Sequence, residues 1–80
     1  MEKEEHMEDM LLALLIFNVD KKGEWIGKDV VQLKVSHLNE KKFESTFRQL
    51  KKKKYIEVKE GDVVRMRITK HGIDYIMERI

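Results

Sequence analysis

The spacing of the apolar residues changes near residue 54 of this chain. Before that point Phe43, Phe47 and Leu50 recur at intervals of four and three, which is the period of a helix packed on one side. After it, residues 55–59 and 64–68 alternate between apolar and polar side chains, as strands with one buried face do. The chain is therefore predicted to combine helices with a small sheet, in the α+β class and mostly helical.

The two alternating segments predict a β-hairpin. They are separated by Glu60-Gly61-Asp62, whose central glycine suits a three-residue loop. Pairing across this loop brings apolar residues together on one face and polar residues together on the other, as a correct register should. The predicted pairs are Val58 with Val64, Ile56 with Met66, Glu57 with Arg65, and Tyr55 with Arg67.

Helix signals lie on both sides of the hairpin. Helices are predicted over His6–Val19, 28–35, 40–53 and 70–80, with a short β-prone stretch at residues 24–26. Asn39 and Thr69 are predicted to cap the third and fourth helices, because their side chains accept hydrogen bonds from free backbone N–H groups. Residues 1–5 are polar and are predicted to be disordered.

Length and composition limit the classes of protein that need to be considered. Eighty residues suffice for a single domain spanning residues 1–80. The absence of cysteine excludes a disulfide framework and a thiolate metal site. The longest apolar run, residues 10–17, is far shorter than the ~20 residues that span a bilayer, and it follows acidic residues rather than the basic start of a secretory signal. We therefore expect a cytoplasmic protein without a membrane partner.

The distribution of charge is more informative than the net charge of +2. Residues 1–20 carry six acidic residues and one Lys, whereas residues 41–54 carry seven basic residues and one Glu. Positive charge concentrated in one segment is typical of a surface that binds a polyanion. The alternative interpretation is a lysine-rich helix that is only solvated.

The first predicted helix has two apolar faces. One contains Met7, Met10, Leu11, Leu14 and Leu15, and the other contains Leu12, Ile16 and Val19. A surface helix needs only one apolar face, so a second copy of the chain is expected to cover the other; alternatively, the remaining helices cover it within one subunit. The predicted homodimer contacts are Met7, Leu11, Leu12 and Ile16 of the first helix and Ile76 and Ile80 of the last.

Three segments, in order along the chain, carry a family resemblance. Residues 43–50 are similar to a recognition helix, residues 50–56 to the segment that enters a wing, and residues 69–72 (Thr-Lys-His-Gly) to the start of the following helix. On these segments the chain resembles the MarR-type and related small archaeal, bacterial or viral winged helix-turn-helix regulators over roughly residues 8–80. The resemblance implies a three-helix core, a β-hairpin wing and a C-terminal helix. It also implies sequence-specific binding of double-stranded DNA by a transcriptional regulator that is not an enzyme.

Two positions depart from the pattern of that family. Lys54 stands where a glycine usually ends the recognition helix in a left-handed turn, which implies either a different turn or a modest strain. The loop tip Glu60-Gly61-Asp62 is acidic, whereas wings that enter the strongly negative minor groove present Arg or Lys. The wing is therefore expected to lie aside from the minor groove and to contact DNA through its flanks, if at all.

The third predicted helix has an outward face suited to the major groove. Arg48 can donate two hydrogen bonds to guanine, Gln49 can pair with adenine, and Ser45 can bond either base. Glu44 could accept a hydrogen bond from cytosine or could pair with Arg48 one helical turn away, and the sequence leaves both open.

Other cations are predicted to contact phosphates, which position a protein on DNA without reading its sequence. They are Lys28, Lys41, Lys42, Lys51 and Lys52. Arg65 and Arg67, on the outward face of the hairpin, could also meet phosphates. A structural alternative pairs Arg65 with Glu57 and stacks Arg67 on Tyr55. Trp25 is expected to anchor the core or the small sheet.

Several other kinds of site are not indicated. His6, His37 and His71 lack the spacing of metal ligands, and no nucleophile with its base, phosphate-binding glycine loop or pair of catalytic carboxylates is evident. We therefore expect no metal, no cofactor and no small-molecule effector. Two other functions stay open: a winged-helix module that docks on an acidic protein, which the acidic loop tip motivates, and chromatin-like DNA binding without sequence preference.

Overall fold

Helices make up most of the computed structural model, which describes residues 2–80. Within that range the four helices are α1 (Glu2–Asp20), α2 (Lys28–Lys34), α3 (Glu40–Lys52) and α4 (Lys70–Arg79). The three strands are β1 (Ile26–Gly27), β2 (Ile56–Lys59) and β3 (Arg65–Ile68). The chain is thus an α+β protein of mostly helical content, and the predicted class is confirmed at this level.

The helix boundaries agree with the sequence signals at three of the four N-termini. Asn39 caps α3 by accepting a hydrogen bond from the backbone N–H of Lys42 at 2.8 Å, and Thr69 caps α4 by accepting one from Gly72 at 3.0 Å. The exception is α1, which begins at Glu2 and not at His6, so residues 2–5 are helical. Met1, the other residue of the segment predicted to be disordered, lies outside the described residues.

The three strands form one antiparallel sheet in the order β1-β3-β2. The predicted hairpin is present, but its register is wrong by two residues: Val58 lies opposite Met66 and Ile56 lies opposite Ile68. The connecting loop therefore contains residues 60–64, five residues rather than three. A shift of two preserves which side chains face inward, and it buries Ile68 against the core. The carbonyl of Val64, outside the hairpin ladder, accepts a hydrogen bond from the backbone N–H of Lys28 at 2.9 Å.

Helix α1 occupies the centre of the packing and touches α2, α3, α4 and β3. Its buried side chains are Met7, Met10, Leu11 and Leu14. The surrounding elements contribute Val31, Val35, Leu38, Phe43, Phe47, Leu50, Ile56, Met66, Ile68 and Ile76. The core is thus built around one face of α1, and it holds α3 and the sheet in fixed positions relative to each other.

Helix α3 ends in a left-handed turn at Lys54. The N–H of Tyr55 donates to the carbonyl of Leu50 at 3.0 Å, and the N–H of Lys54 donates to that of Lys51 at 3.1 Å. These two bonds define a Schellman motif, whose left-handed residue is usually glycine. Lys54 has a φ of 62°, so this chain forms the ordinary turn and accepts the strain of a side chain there.

The first turn of α4 lies directly against the start of β2. A Cβ on Gly72 would overlap the backbone carbonyl oxygen of Tyr55, which already accepts the N–H of Thr69 at 3.0 Å. The ring of Tyr55 stacks on that of Tyr75 with centroids 4.5 Å apart, and burial raises the pKa of the Tyr75 hydroxyl. Only glycine at position 72 therefore permits this approach of α4 to the sheet.

Replacing Lys54 with glycine should stabilise the protein. The substitution removes the left-handed strain of a side chain at φ 62°, and we expect the free energy of unfolding to rise by about 1 kcal/mol, measured by urea denaturation. The neighbouring Lys53, at φ −80°, provides the control, and Lys53→Gly should lower stability. Equal effects of the two substitutions would contradict the strain at Lys54.

Replacing Gly72 with alanine should have the opposite effect. The added methyl group meets rigid backbone at Tyr55, so we expect a loss of about 1–3 kcal/mol in thermal or urea unfolding. Gly61, around which a Cβ would have open space, is the matched control; Gly61→Ala should change stability by no more than about 0.5 kcal/mol.

Candidate nucleic-acid interface

Helix α3 has one buried face and one exposed face. Phe43 and Leu50 are 0 % exposed and Phe47 is 8 % exposed, as the helical spacing predicted. Thr46 is also buried, a feature that the sequence analysis missed; its hydroxyl donates to the carbonyl of Lys42 at 2.7 Å, which satisfies the buried oxygen. A polar residue can thus lie on the buried face of a helix when its side chain hydrogen-bonds to a backbone carbonyl of the preceding turn.

The opposite face of α3 presents a row of exposed polar side chains. Its members are Lys41, Ser45, Arg48 and Lys52, at intervals of four, three and four, with Lys42 beside them. Because successive residues turn by about 100°, these intervals keep the row in line along the helix. Gln49, also predicted to read bases, is half-buried at the edge of the row. The structure thus brings together six of the seven predicted contacts of α3, and the seventh, Lys51, lies next to the row.

The cations of this row are available for a ligand. Among the described residues, Lys41, Lys42, Arg48 and Lys52 form no ion pair with a carboxylate within 4.0 Å. Lys51, next to the row, lies 3.7 Å from the exposed carboxylate of Glu60 in the hairpin loop. Part of the acidic loop tip is therefore drawn toward the end of α3, but the row itself keeps its positive charge.

Glu44 is held by α2 and does not pair within its own helix. A carboxylate oxygen of Glu44 lies 2.7 Å from the ammonium of Lys28, so the pairing with Arg48 that the sequence left open is not formed. The same ammonium lies 4.4 Å from the centre of the Phe47 ring, a cation–π arrangement. Lys28, predicted to contact phosphate, is therefore half-buried and engaged with α3, and Arg48 stays free.

The outer face of the sheet holds a cluster around Trp25. The guanidinium of Arg67 lies 4.3 Å from the centre of the Trp25 ring, donates to the carbonyl of Gly23 at 3.1 Å, and donates to a carboxylate oxygen of Glu57 at 3.1 Å. The predicted stacking of Arg67 on Tyr55 is therefore wrong, and Trp25 has the anchoring role expected of it. Arg67 joins the α1–β1 connection to the sheet and is engaged structurally.

Arg65 differs from Arg67 in its surroundings. The predicted pairing of Arg65 with Glu57 is wrong, because the true register places Arg67 opposite Glu57 and Lys59 opposite Arg65. Lys59 and Arg65 are both exposed, and like charges directly opposite each other repel. Lys59 was missed by the sequence analysis, since the predicted register placed it opposite Val63 and not opposite a second cation. The correct register reveals a cationic pair on the outward face of the wing.

The predicted homodimer contacts fall into two groups. Met7, Leu11 and Ile76 lie in the core of the single chain and are not available to a partner, because α1 packs against α4 and β3 within the subunit. Leu12 is half-buried, whereas Ile16 and Ile80 are exposed. Helical periodicity alone could not distinguish the face of α1 that the chain itself covers from the face that it leaves open.

Residues 2–80 contain neither a metal-binding cluster of side chains nor a helix that could span a membrane. Within the described residues no group of three or more histidine, cysteine or acidic side chains is placed to hold a metal ion. His37 hydrogen-bonds to a carboxylate oxygen of Asp9 at 2.8 Å and thereby joins α1 to the α2–α3 connection. None of the described helices combines the length and apolar character needed to cross a bilayer.

The different surroundings of Arg67 and Arg65 can be tested by substitution. Arg67→Ala should lower the free energy of unfolding by about 1–2 kcal/mol, because a cation–π contact and two hydrogen bonds are lost, and it should shift the fluorescence of Trp25, the only tryptophan. Arg65→Ala should change stability by no more than about 0.5 kcal/mol and leave the fluorescence unchanged. Similar effects of both substitutions would contradict a structural role for Arg67 that Arg65 lacks.

The chain matches no protein-family model, no curated protein and no solved structure.

Proposed function

We propose that this protein is a winged helix-turn-helix DNA-binding protein that acts as a transcriptional regulator, with α3 in the major groove. The order of its elements supports the fold assignment: three helices with a short strand between the first two, then a hairpin and a final helix. The strand order β1-β3-β2 attaches the hairpin to the helical core through β1. The turn of residues 35–39 joins α2 to α3, as in a helix-turn-helix.

One observation carries the proposal: α3 is anchored on one face and offers free cations and hydrogen-bond donors on the other. A recognition helix needs both properties, because base contacts are specific only when the backbone behind them is held in place. Phe43, Phe47 and Leu50 supply the anchor. The exposed row Lys41, Ser45, Arg48 and Lys52 supplies groups of the right chemistry.

Each side chain of the row has a distinct role in the proposed complex. Arg48 donates a pair of hydrogen bonds to the O6 and N7 atoms of guanine, and Ser45 and Gln49 bond to neighbouring bases. The flanking Lys41, Lys42 and Lys52 contact phosphates. Lys28 acts indirectly, since its ammonium offsets the charge of Glu44 and so limits repulsion between that carboxylate and the DNA.

The wing contributes through its outward strand face. Lys59 and Arg65 are exposed and carry like charges side by side, so a phosphate of the DNA backbone relieves their repulsion. The loop tip, with Glu60 and Asp62 exposed, stays out of the minor groove because that groove is strongly negative. Arg67 is engaged with Trp25 and Glu57 and makes no direct contact.

As a homodimer, the protein would bind a near-palindromic site. Two copies of α3 would then enter successive major grooves about 34 Å apart along the duplex. Selection of bound sequences from a random duplex pool tests binding, base preference and half-site spacing together. Failure to bind duplex DNA at ~50 mM salt, where phosphate contacts are strongest, would overturn the proposal.

A second candidate function is favoured by the acidic loop tip. Exposed Glu60 and Asp62 on a wing are unfavourable beside DNA, and a winged-helix module that docks its basic helix on an acidic protein would not meet this repulsion. Such a module would co-purify with a protein partner and ignore isolated duplexes. Binding of specific and scrambled duplexes with equal affinity at fixed salt would instead indicate chromatin-like DNA binding.

Two substitutions in α3 separate base reading from phosphate contact. Arg48→Ala should reduce the preference for the selected sequence over a scrambled duplex by about 1–3 kcal/mol. Lys41→Ala should weaken both duplexes alike and reduce the slope of log affinity against log salt by about 0.9. Fluorescence anisotropy titrations at several salt concentrations measure both quantities, and a loss of preference in Lys41→Ala but not in Arg48→Ala would contradict the assignment.

A further inference from the structure

Glu44 lies on α3 beside the side chains proposed to read bases. It stands one position before Ser45 and one helical turn before Arg48, and all three line one surface groove together with Lys41. The side chain of Glu44 is 35 % exposed, so part of its carboxylate is accessible in that groove. Glu44 therefore faces the same part of a bound duplex as Arg48 and Ser45.

Lys28 restricts where the carboxylate of Glu44 can lie. The ammonium of Lys28 lies 2.7 Å from one carboxylate oxygen, Oε1, and 4.4 Å from the centre of the Phe47 ring. The Lys28 side chain is only 24 % exposed, and its backbone N–H donates to the carbonyl of Val64 at 2.9 Å. Lys28 is thus tied to α3 by its side chain and to the hairpin by its backbone, and it holds Glu44 from the α2 side.

The carboxylate of Glu44 keeps capacity to accept further hydrogen bonds. Among the described residues, Lys28 is its sole ion-pair partner, and no other group of that range donates a hydrogen bond to it. A carboxylate offers about four acceptor positions, of which one ammonium satisfies only a part. Glu44 is therefore able to accept a hydrogen bond from a donor outside the chain.

Cytosine is the base whose major-groove edge fits this acceptor. Its N4 amino group is a donor, whereas guanine presents the acceptors N7 and O6 and thymine presents the acceptor O4, all of which repel a carboxylate. Adenine has an N6 donor, but the N7 acceptor beside it is unfavourable. Because the ammonium of Lys28 balances the charge of Glu44, the pair can approach DNA without the repulsion that an unpaired carboxylate meets.

We propose that Glu44 reads a cytosine in the same major groove as the guanine bound by Arg48, and that Lys28 is the residue that positions Glu44 for this contact. The proposal rests on the proposed DNA binding and deepens it by naming a second base of the bound site. Lys28 then acts on Glu44 and not on a phosphate. A pair that only joined α2 to α3 would leave base preference unaffected by either side chain.

Two matched substitutions that remove one negative charge from α3 test whether Glu44 reads a base. Bound sequences are selected from a random duplex pool with the wild-type chain, with Glu44→Gln and with Glu40→Gln. Glu40 lines the same groove but has no ion-pair partner within 4.0 Å among residues 2–80. Wild-type and Glu40→Gln should select the same cytosine. Glu44→Gln should select adenine at that position, since glutamine pairs with the N6 and N7 atoms of adenine.

The same position can be measured by fluorescence anisotropy titration. Replacing the cytosine of the selected duplex with thymine should weaken binding of the wild-type chain about tenfold, because the carboxylate loses its donor and meets an acceptor. Binding by Glu44→Ala should change less than about twofold between the two duplexes, since no carboxylate is left to distinguish them.

Substitutions at Lys28 test its positioning role. Lys28→Met keeps an unbranched side chain beside Phe47 but leaves Glu44 without its cation, so affinity for the selected duplex should fall about tenfold. Adding Glu44→Gln to Lys28→Met should recover most of the affinity for the duplex with adenine at that position, because no unpaired carboxylate remains. A lysine that contacted phosphate would give no such recovery. Lys28→Arg keeps the charge and should keep the preference for cytosine.

Three results would overturn the proposal while leaving the proposed function in place, because the wild-type chain still binds duplex DNA in each. They are selection of the same cytosine by Glu44→Gln, an equal loss of preference in Glu40→Gln, and a double variant that binds no better than Lys28→Met. A wild-type chain that binds no duplex at ~50 mM salt would overturn the proposed function itself, and the assignment of Glu44 with it.

Discussion

The packing of α3 against α1 is the interaction on which the rest of this structure depends. Phe43 and Leu50 are fully buried beside the apolar face of α1. Because a helix is rigid and turns by about 100° per residue, fixing these side chains also fixes the direction of the exposed row that includes Arg48. Any function of α3 therefore depends on core packing first and on surface charge second.

The basic residues of the site are of two kinds, and their surroundings separate them. Lys28 and Arg67 are each engaged with a carboxylate and an aromatic ring, and each joins two elements of the fold. Arg48 and Arg65 are exposed, and neither pairs with a carboxylate of the described residues. The first kind holds elements of the fold together, and the second kind stays unpaired on the surface.

One face of helix α1 packs into the core, and the opposite face is exposed to solvent. Met10 and Leu14 hold the core together, whereas Ile16 and Val19, on the opposite side, are exposed. In a chain of 80 residues the remaining elements cover only one side of a central helix. The small number of covering elements is the physical reason why Ile16 and Val19 stay exposed.

The sequence by itself determined the features that depend on neighbours within about four residues: the caps at Asn39 and Thr69, the buried face of α3 and the existence of the hairpin. Only the tertiary structure decided the hairpin register, the Lys28–Glu44 pair and the place of Arg67 beside Trp25. A shift of two residues keeps every strand side chain on its face, so the local pattern cannot detect it. Contacts between residues distant in sequence depend on how the elements pack, and the alternation and spacing of apolar residues do not specify that packing.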